Sequence, residues 1–156
     1  MMTKKVIMNT SGMITQRSTC QRKMVITVCK IVVVQKIQNA LNDHAKPLKN
    51  SKVLVFGTSY KRDIDDVRES PALDILLLLE RQGAVISYTD PHVPSIKFGD
   101  RTLHSVAPEE AANADCVVIV TDHTAFDYKK LVKEAKLIVD SRNALKGVKS
   151  EKIVRL

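Results

Sequence analysis

The sequence predicts an α/β domain in three layers, built on a mainly parallel sheet and preceded by a helix and an irregular N-terminal arm. Three observations lead there. From Lys52 onward, short apolar runs alternate with segments of helical period. The run KVLVFG ends in Gly57, which suits a buried parallel strand. Ser70-Pro71 then opens a helix, because Ser can cap the free N–H groups and Pro fits the first helical position. Strands joined by helical crossovers give a parallel sheet with helices on both faces.

Residues 1 to about 30 resist assignment. MITVCKIVVV is apolar and β-branched, but its surroundings are polar and lack caps or periodicity. Residues 1–32 are therefore read as a basic irregular arm. Val33, Val34, Ile37 and Leu41, with Ala40 beside them, repeat at helical spacing. That helix should fade near Asn42-Asp43, and Pro47 bars its continuation. Residues 33–50 thus form a helix and a linker, AKPLKNS, and residues 51–156 form the domain proper.

Within the domain, Ala72, Ile75, Leu76 and Leu79 give the helix after Pro71 its apolar face, and Gly83 ends it. AVISYTD is the next strand, and a short strand near RTLHS follows. Pro108-Glu109-Glu110 opens a helix with acids in its first turn. DCVVIVTD is a strand, FDYKKLVKEA a helix, and KLIVDSRN the last clear strand. No internal repeat or low-complexity segment interrupts this order.

Composition bounds the function. The 156 residues carry a net charge of +8, with 44% hydrophobic and 27% charged residues, as in ordinary soluble domains. All of the excess charge lies in residues 1–50, which hold nine Lys or Arg and one acid, Asp43; the remainder is neutral. A basic arm can hold polyanions, but such runs are commonly plain solvated tails. The charge lies on no nucleic-acid motif, and aromatic residues, at 4%, are too few to favour a stacking platform. Cys20, Cys29 and Cys116 form no C-x-x-C pair, so neither a disulfide framework nor a zinc site is expected. MMTKKVIMNTSGMITQ lacks the pattern of a signal peptide, and VVIV and ILLLL are too short to span a bilayer. A cytoplasmic setting without membrane contact is the expectation.

Ligands of such sheets bind beyond the carboxyl ends of the strands. The loop after Gly57 offers Tyr60, Lys61 and Arg62, then Asp63, Asp65, Asp66 and Arg68. Lys61 can hold a phosphate as a point charge, and Arg68 lies near a helix start that favours anions. The competing reading is that Asp65, Asp66, Arg68 and Glu69 form surface ion pairs worth little. Arg142 follows the final strand and can face the same crevice as Lys61, which suits a diphosphate; pairing with Asp140 or Asp66 is the alternative. His123 has no nucleophile beside it in VTDHTAFDY. Loop ordering or capping by Asp122, His123 and Thr124 is the preferred reading there. His44, His92 and His104 are not spaced as metal ligands. No catalytic residue and no metal ligand are assigned.

GTSYKRDIDDVRESPALDILLLLERQGA resembles the signature G-x-x-[YF]-K-x-[DN]-x-D-D-x-R-E-S-P-A of the UDP-glucose/GDP-mannose dehydrogenase family. YTDPHVP, ADCVVIVTDHTAFDY and IVDSRNAL match that family's C-terminal domain in order, and the resemblance runs from about Val33 to the end. TDH, FDY and the RNAL ending look most like the branch that oxidises UDP-N-acetyl-hexosamines to uronic acids, chemistry that feeds polysaccharide biosynthesis. The resemblance implies a Rossmann-like domain that binds the UDP part of the substrate, behind an NAD-binding domain and a central helix that makes the dimer. Oxidation in the family takes two NAD and passes through a thioester on a Cys in a G-G-x-C-x-P-like motif.

This chain resembles the last part only. It has no G-x-G-x-x-G and no glycine-flanked Cys. By the resemblance, Tyr60 and Lys61 contact the nucleotide sugar, Arg142 helps grip it, and Arg68 reaches toward NAD held by the other domain. NAD itself is not expected to bind this chain alone. The expected function is a UDP-sugar-binding domain, inactive by itself; a stand-alone nucleotide-binding module, or one that docks to a full-length dehydrogenase or a second copy, is the alternative. The abrupt join at VVVQKIQNALN suggests a truncated or frame-shifted reading of a longer gene.

Overall fold

A computed structural model describes the backbone from Ser11 and the side chains from Thr27, in both cases to Leu156. The first ten residues of the expected arm lie outside this range. Helix α1 spans Ser11–Asp43, so it begins earlier than the sequence periodicity indicates. Its packed end explains the difference. Val33, Val34, Ile37, Ala40 and Leu41 are buried, while Val28, Ile31 and Val32 just before them are exposed. A helix anchored at one end extends at low cost, because nucleation is the expensive step.

Five strands form one parallel sheet: β1 (Lys52–Phe56), β2 (Val85–Thr89), β5 (Cys116–Ile119), β6 (Ile138–Asp140) and β7 (Ile153–Arg155), in the order β2-β1-β5-β6-β7. The short strand at RTLHS does not join it. As β4 (Arg101–His104) it pairs with β3 (Ser95–Phe98) in a separate antiparallel hairpin. β7 is only three residues long and carries no distinct pattern, so the sequence reading stops one strand short.

Side chains of a strand alternate between the two faces of a sheet. Val53, Val55, Cys116, Val118 and Val139 pack on one face with the buried end of α1 and with α2 (Pro71–Arg81). Leu54, Phe56, Val117, Ile119 and Ile138 pack on the other with Phe126, Leu145 and Leu131 of α3 (Tyr128–Glu134). Three layers result. Ser70 caps α2 through the Ala72 N–H at 3.2 Å, and Pro71 occupies its first turn. Pro108–Ala112 forms a 3-10 turn in place of the expected α-helix.

The chain steps from β1 to β2, then crosses back over β1 to β5. Strand order therefore reverses between β1 and β5, and the crevice at their carboxyl ends is the place where open α/β sheets bind ligands.

Candidate functional site

The end of β1 meets the end of β5 at Gly57. Its φ is +81°, and a Cβ there would stand 2.2 Å from the Thr121 carbonyl oxygen. Only glycine fits both the backbone angle and the approach. The next two N–H groups, of Thr58 and Ser59, donate to Asp90 Oδ2 at 2.7 and 3.1 Å. Asp90 lies just beyond β2 and is buried. Its other oxygen accepts the His92 N–H at 2.8 Å. Burial pushes the Asp90 carboxyl up, but the N–H bonds of Thr58 and His92, with His123, outweigh it and hold the group below the usual carboxylate range.

His123 is fully buried in this cluster. Its Nδ1 accepts the Asp63 N–H at 2.9 Å, so the ring hydrogen sits on Nε2. Nε2 faces Asp90 Oδ2 at 3.0 Å and Ser59 Oγ at 2.9 Å. A hydrolytic triad needs the acid on one ring nitrogen and the serine on the other. Here both lie on the same nitrogen, which carries a hydrogen and cannot accept one. The Ser59 hydroxyl is itself placed to donate to the Lys61 carbonyl at 3.1 Å. Asp63 then fixes the next loop, accepting from Thr124 N and Oγ1 at 2.9 Å each. The Thr124 N–H bond is the main reason its carboxyl lies below the usual range. Ser59, Asp63, Asp90, His123 and Thr124 thus order two loops, as the loop-ordering reading of the TDHT stretch has it for His123 and Thr124; Asp122 takes no part, and the cap of the next helix is Asp127, which accepts the Lys130 N–H at 3.0 Å.

These contacts also test the turn against a dinucleotide. A dinucleotide turn offers its free N–H groups to a pyrophosphate. In this chain a buried carboxylate already holds two of them, and Gly57 is filled by contact with β5. The residues present do not fit an NAD pyrophosphate at this turn. Asp63, His92 and His123 bring ligand atoms within 4.8 Å of one another, a grouping the sequence spacing does not show. Asp63 and His123 already use those atoms on Thr124 and the Asp63 N–H. His92 Nε2 is left without a hydrogen bond.

Outward from the buried cluster opens a cleft of about 710 Å³, lined by Lys61, Arg62, Arg142 and Arg155 and by the acids Asp122 and Asp140. Asp140 ends β6 and is buried. It accepts the N–H groups of Arg142, Ala144 and Leu145 at 2.9–3.1 Å, curling SRNAL into a turn with Asn143 at a φ of +58°. Arg142 is thereby placed in the cleft, with Nε 3.8 Å from Asp122 Oδ1. Arg62 pairs with the same carboxylate through Nη2. Arg155 donates to the carbonyl of Leu145 at 2.9 Å. Lys61 has no carboxylate partner among the described residues, and its Nζ stands 5.7 Å from the Tyr60 ring centroid.

Of the residues singled out from the sequence, Lys61 and Arg142 come together in the cleft. Tyr60 sits beside Lys61, 47% exposed, and is not part of the lining. Arg68 lies on the outside, with its side chain 87% exposed and its guanidinium on Asp66 at 3.0 Å. That is the surface pairing given as the alternative for the DDVRE stretch. Arg142 pairs with Asp122, and with neither of the two acids named as its alternatives. The sequence places Arg62 beside Lys61 and Asp122 among the loop-ordering residues but assigns neither to the cleft, and Arg155 is not singled out there. Arg155 belongs to the strand that carries no signal.

The profile of the UDP-glucose/GDP-mannose dehydrogenase family, UDP binding domain, matches residues 54–147. A UDP-N-acetyl-D-mannosamine dehydrogenase of Methanococcus vannielii is 33% identical over 132 residues, covering 79% of this chain and 28% of the relative. An NDP-N-acetyl-D-galactosaminuronic acid dehydrogenase of Ralstonia nicotianae is 30% identical over 103 residues, covering 63% of this chain and 24% of that one. Among solved structures, the UDP-N-acetyl-mannosamine dehydrogenase Cap5O of Staphylococcus aureus superposes with a TM-score of 0.61 at 30% identity, over 81% of this chain and 29% of its own. A UDP-D-ManNAc dehydrogenase of Pyrococcus horikoshii shares the fold at a TM-score of 0.67 and 24% identity, over 81% and 30%. The matched part of the chain thus spans between 24% and 30% of the length of these proteins.

Proposed function

The chain belongs to the UDP-glucose/GDP-mannose dehydrogenase family, and on that premise we propose that it holds the UDP part of a UDP-N-acetyl-hexosamine in the cleft at the carboxyl ends of β5, β6 and β7. The convergence of Lys61, Arg62, Arg142 and Arg155 on one open cleft supports this reading. Guanidinium groups and an ammonium held by separate loops can take the several oxygens of a diphosphate through charge-assisted hydrogen bonds. Lys61 and Arg142 grip the diphosphate in this reading, and Tyr60 contacts the nucleotide sugar from the rim.

The whole reaction proposed is the NAD-dependent oxidation of the sugar C6 alcohol to a carboxylate, in the cytoplasm. NAD held by a partner domain would supply the hydride acceptor, and Arg68, exposed on the outer side, would reach toward it. This chain supplies substrate binding to that reaction and no covalent step. Cys116 is buried against the sheet, and burial pushes its thiol up to about 12, which suits packing and not attack. Val28, Ile31 and Val32, exposed on α1, fit docking to a second copy or to a full-length dehydrogenase. No helix among the described residues is long and apolar enough to cross a membrane.

Isothermal titration with UDP tests the site. Lys61→Ala or Arg142→Ala is expected to weaken binding about tenfold or more, at about 1.4 kcal/mol per decade. Lys129→Ala, on the exposed side of α3, is expected to change it little. The chain alone is expected to give no NADH from NAD and UDP-N-acetylglucosamine. Equal affinities of wild type and both site variants would move the site elsewhere.

A further inference from the structure

The two carboxylates of the cleft do different work. Asp140 is committed to three backbone N–H groups. Asp122 holds no backbone N–H group; its contacts in the cleft are the guanidinium groups of Arg62, at Oδ2, and Arg142, 3.8 Å from Oδ1. The Asp122 side chain is 13% exposed, while those of Arg62 and Arg142 are 57% and 49% exposed. A largely buried carboxylate therefore stands between two more exposed cations.

We infer that Asp122 is an internal counter-anion, whose carboxylate occupies the place of a ligand phosphate between Arg62 and Arg142 and releases them when a diphosphate binds. This deepens the nucleotide reading above and rests on it. Two guanidinium groups on separate loops repel each other across an empty cleft. A carboxylate between them neutralises one charge and holds the cleft open-handed toward anions. A diphosphate offers more oxygens and more charge than one carboxylate, so the exchange is favourable. Breaking the Asp122 contacts nevertheless subtracts from the affinity. Removing that carboxylate is therefore expected to tighten ligand binding. If Asp122 merely positioned the arginines, its removal would loosen them and weaken binding.

The test is isothermal titration of the full chain with UDP and with inorganic pyrophosphate, for wild type, Asp122→Asn and Asp122→Ser. Both substitutions leave every backbone N–H of the cleft with its partner, and circular dichroism checks that each variant folds. Both are expected to bind about three- to tenfold tighter at low salt, or about 0.7–1.4 kcal/mol. Their affinity is expected to fall more steeply with added NaCl, because the cleft is one charge more positive. In an Arg62→Gln background the gain from Asp122→Asn is expected to shrink by at least half, since there is less pairing to release. Unchanged or weaker binding in both Asp122 variants overturns the inference. So does a gain that persists in full without Arg62, since Asp122 would then act as bulk negative charge. A wild type that binds, and weakens with Arg142→Ala, while ignoring Asp122→Asn leaves the nucleotide reading standing and removes the counter-anion alone. A wild type whose binding ignores Arg142→Ala removes both.

Discussion

The crevice at the strand ends contains two polar regions, one largely buried and one open. In the buried one, Asp90, His123 and Ser59, with Asp63 at its exposed edge, fasten the Gly57 turn to the ends of β2 and β5. In the open one, Lys61, Arg62, Arg142 and Arg155 line a cleft with fewer acids than cations. The same segments build both, since Ser59 stands two residues before Lys61 and Asp122 one residue before His123. The difference shows that burial and hydrogen-bond saturation mark the residues that position, and exposed charge marks those that can bind. His123 looks catalytic by residue type but has no free nitrogen. Arg142 looks like an ordinary surface cation but is held in place by a buried carboxylate.

That contrast can be broken by substitution, and the largest effect is expected at Gly57. Gly57→Ala forces a Cβ into the Thr121 backbone at a positive φ and is expected to cost about 2–4 kcal/mol of stability. Because the strain falls on the turn that carries Lys61, ligand binding is expected to fail with it. Urea unfolding and UDP titration together check this; a stable variant with unaltered binding would mean the two regions are not coupled.

Asp90→Asn comes next. It leaves buried donors poorly matched and is expected to cost about 2–3 kcal/mol. The native carboxyl lies below its ordinary value, so its contribution is fully present above about pH 4, the unfolded range. It is lost as the pH falls through the lower native value. Wild-type stability is therefore expected to decline below about pH 4, and Asp90→Asn to flatten part of that decline. Urea midpoints at pH 7, 5 and 3 provide the measurement. A parallel loss in both proteins would place the acid sensitivity outside the buried region.

Arg68→Ala sharpens the comparison from the other side. Its pairing with Asp66 is solvent-exposed, so its loss is expected to change stability by no more than about 0.5 kcal/mol. UDP affinity is expected to stay within about twofold, because Arg68 lies outside the cleft lining. A thermal scan and a titration suffice. A large loss in either would show that the outer loop belongs to the site.

By itself the sequence determined the alternation of strands and helices, the Ser70-Pro71 start, the buried stripe of Val33, Ile37 and Leu41, and the meeting of Lys61 with Arg142. These are local or periodic signals. Apolar runs, caps and turn residues act within a few positions, and topology brings the strand ends to one edge. Only the tertiary structure decided that Asp90 fills the backbone donors of the Gly57 turn, that His123 is locked by Asp63, and that Arg142 faces Asp122. Each joins residues that lie between about 20 and 65 positions apart in the chain. It decided the reach of α1 and the presence of β7 as well, because a helix continued from its packed end and a three-residue strand owe their form to the neighbours they extend. A carboxylate reads the same in sequence whether it will hold two backbone N–H groups or two arginines. Which it holds is fixed only when folding brings donors from other strands within hydrogen-bond distance.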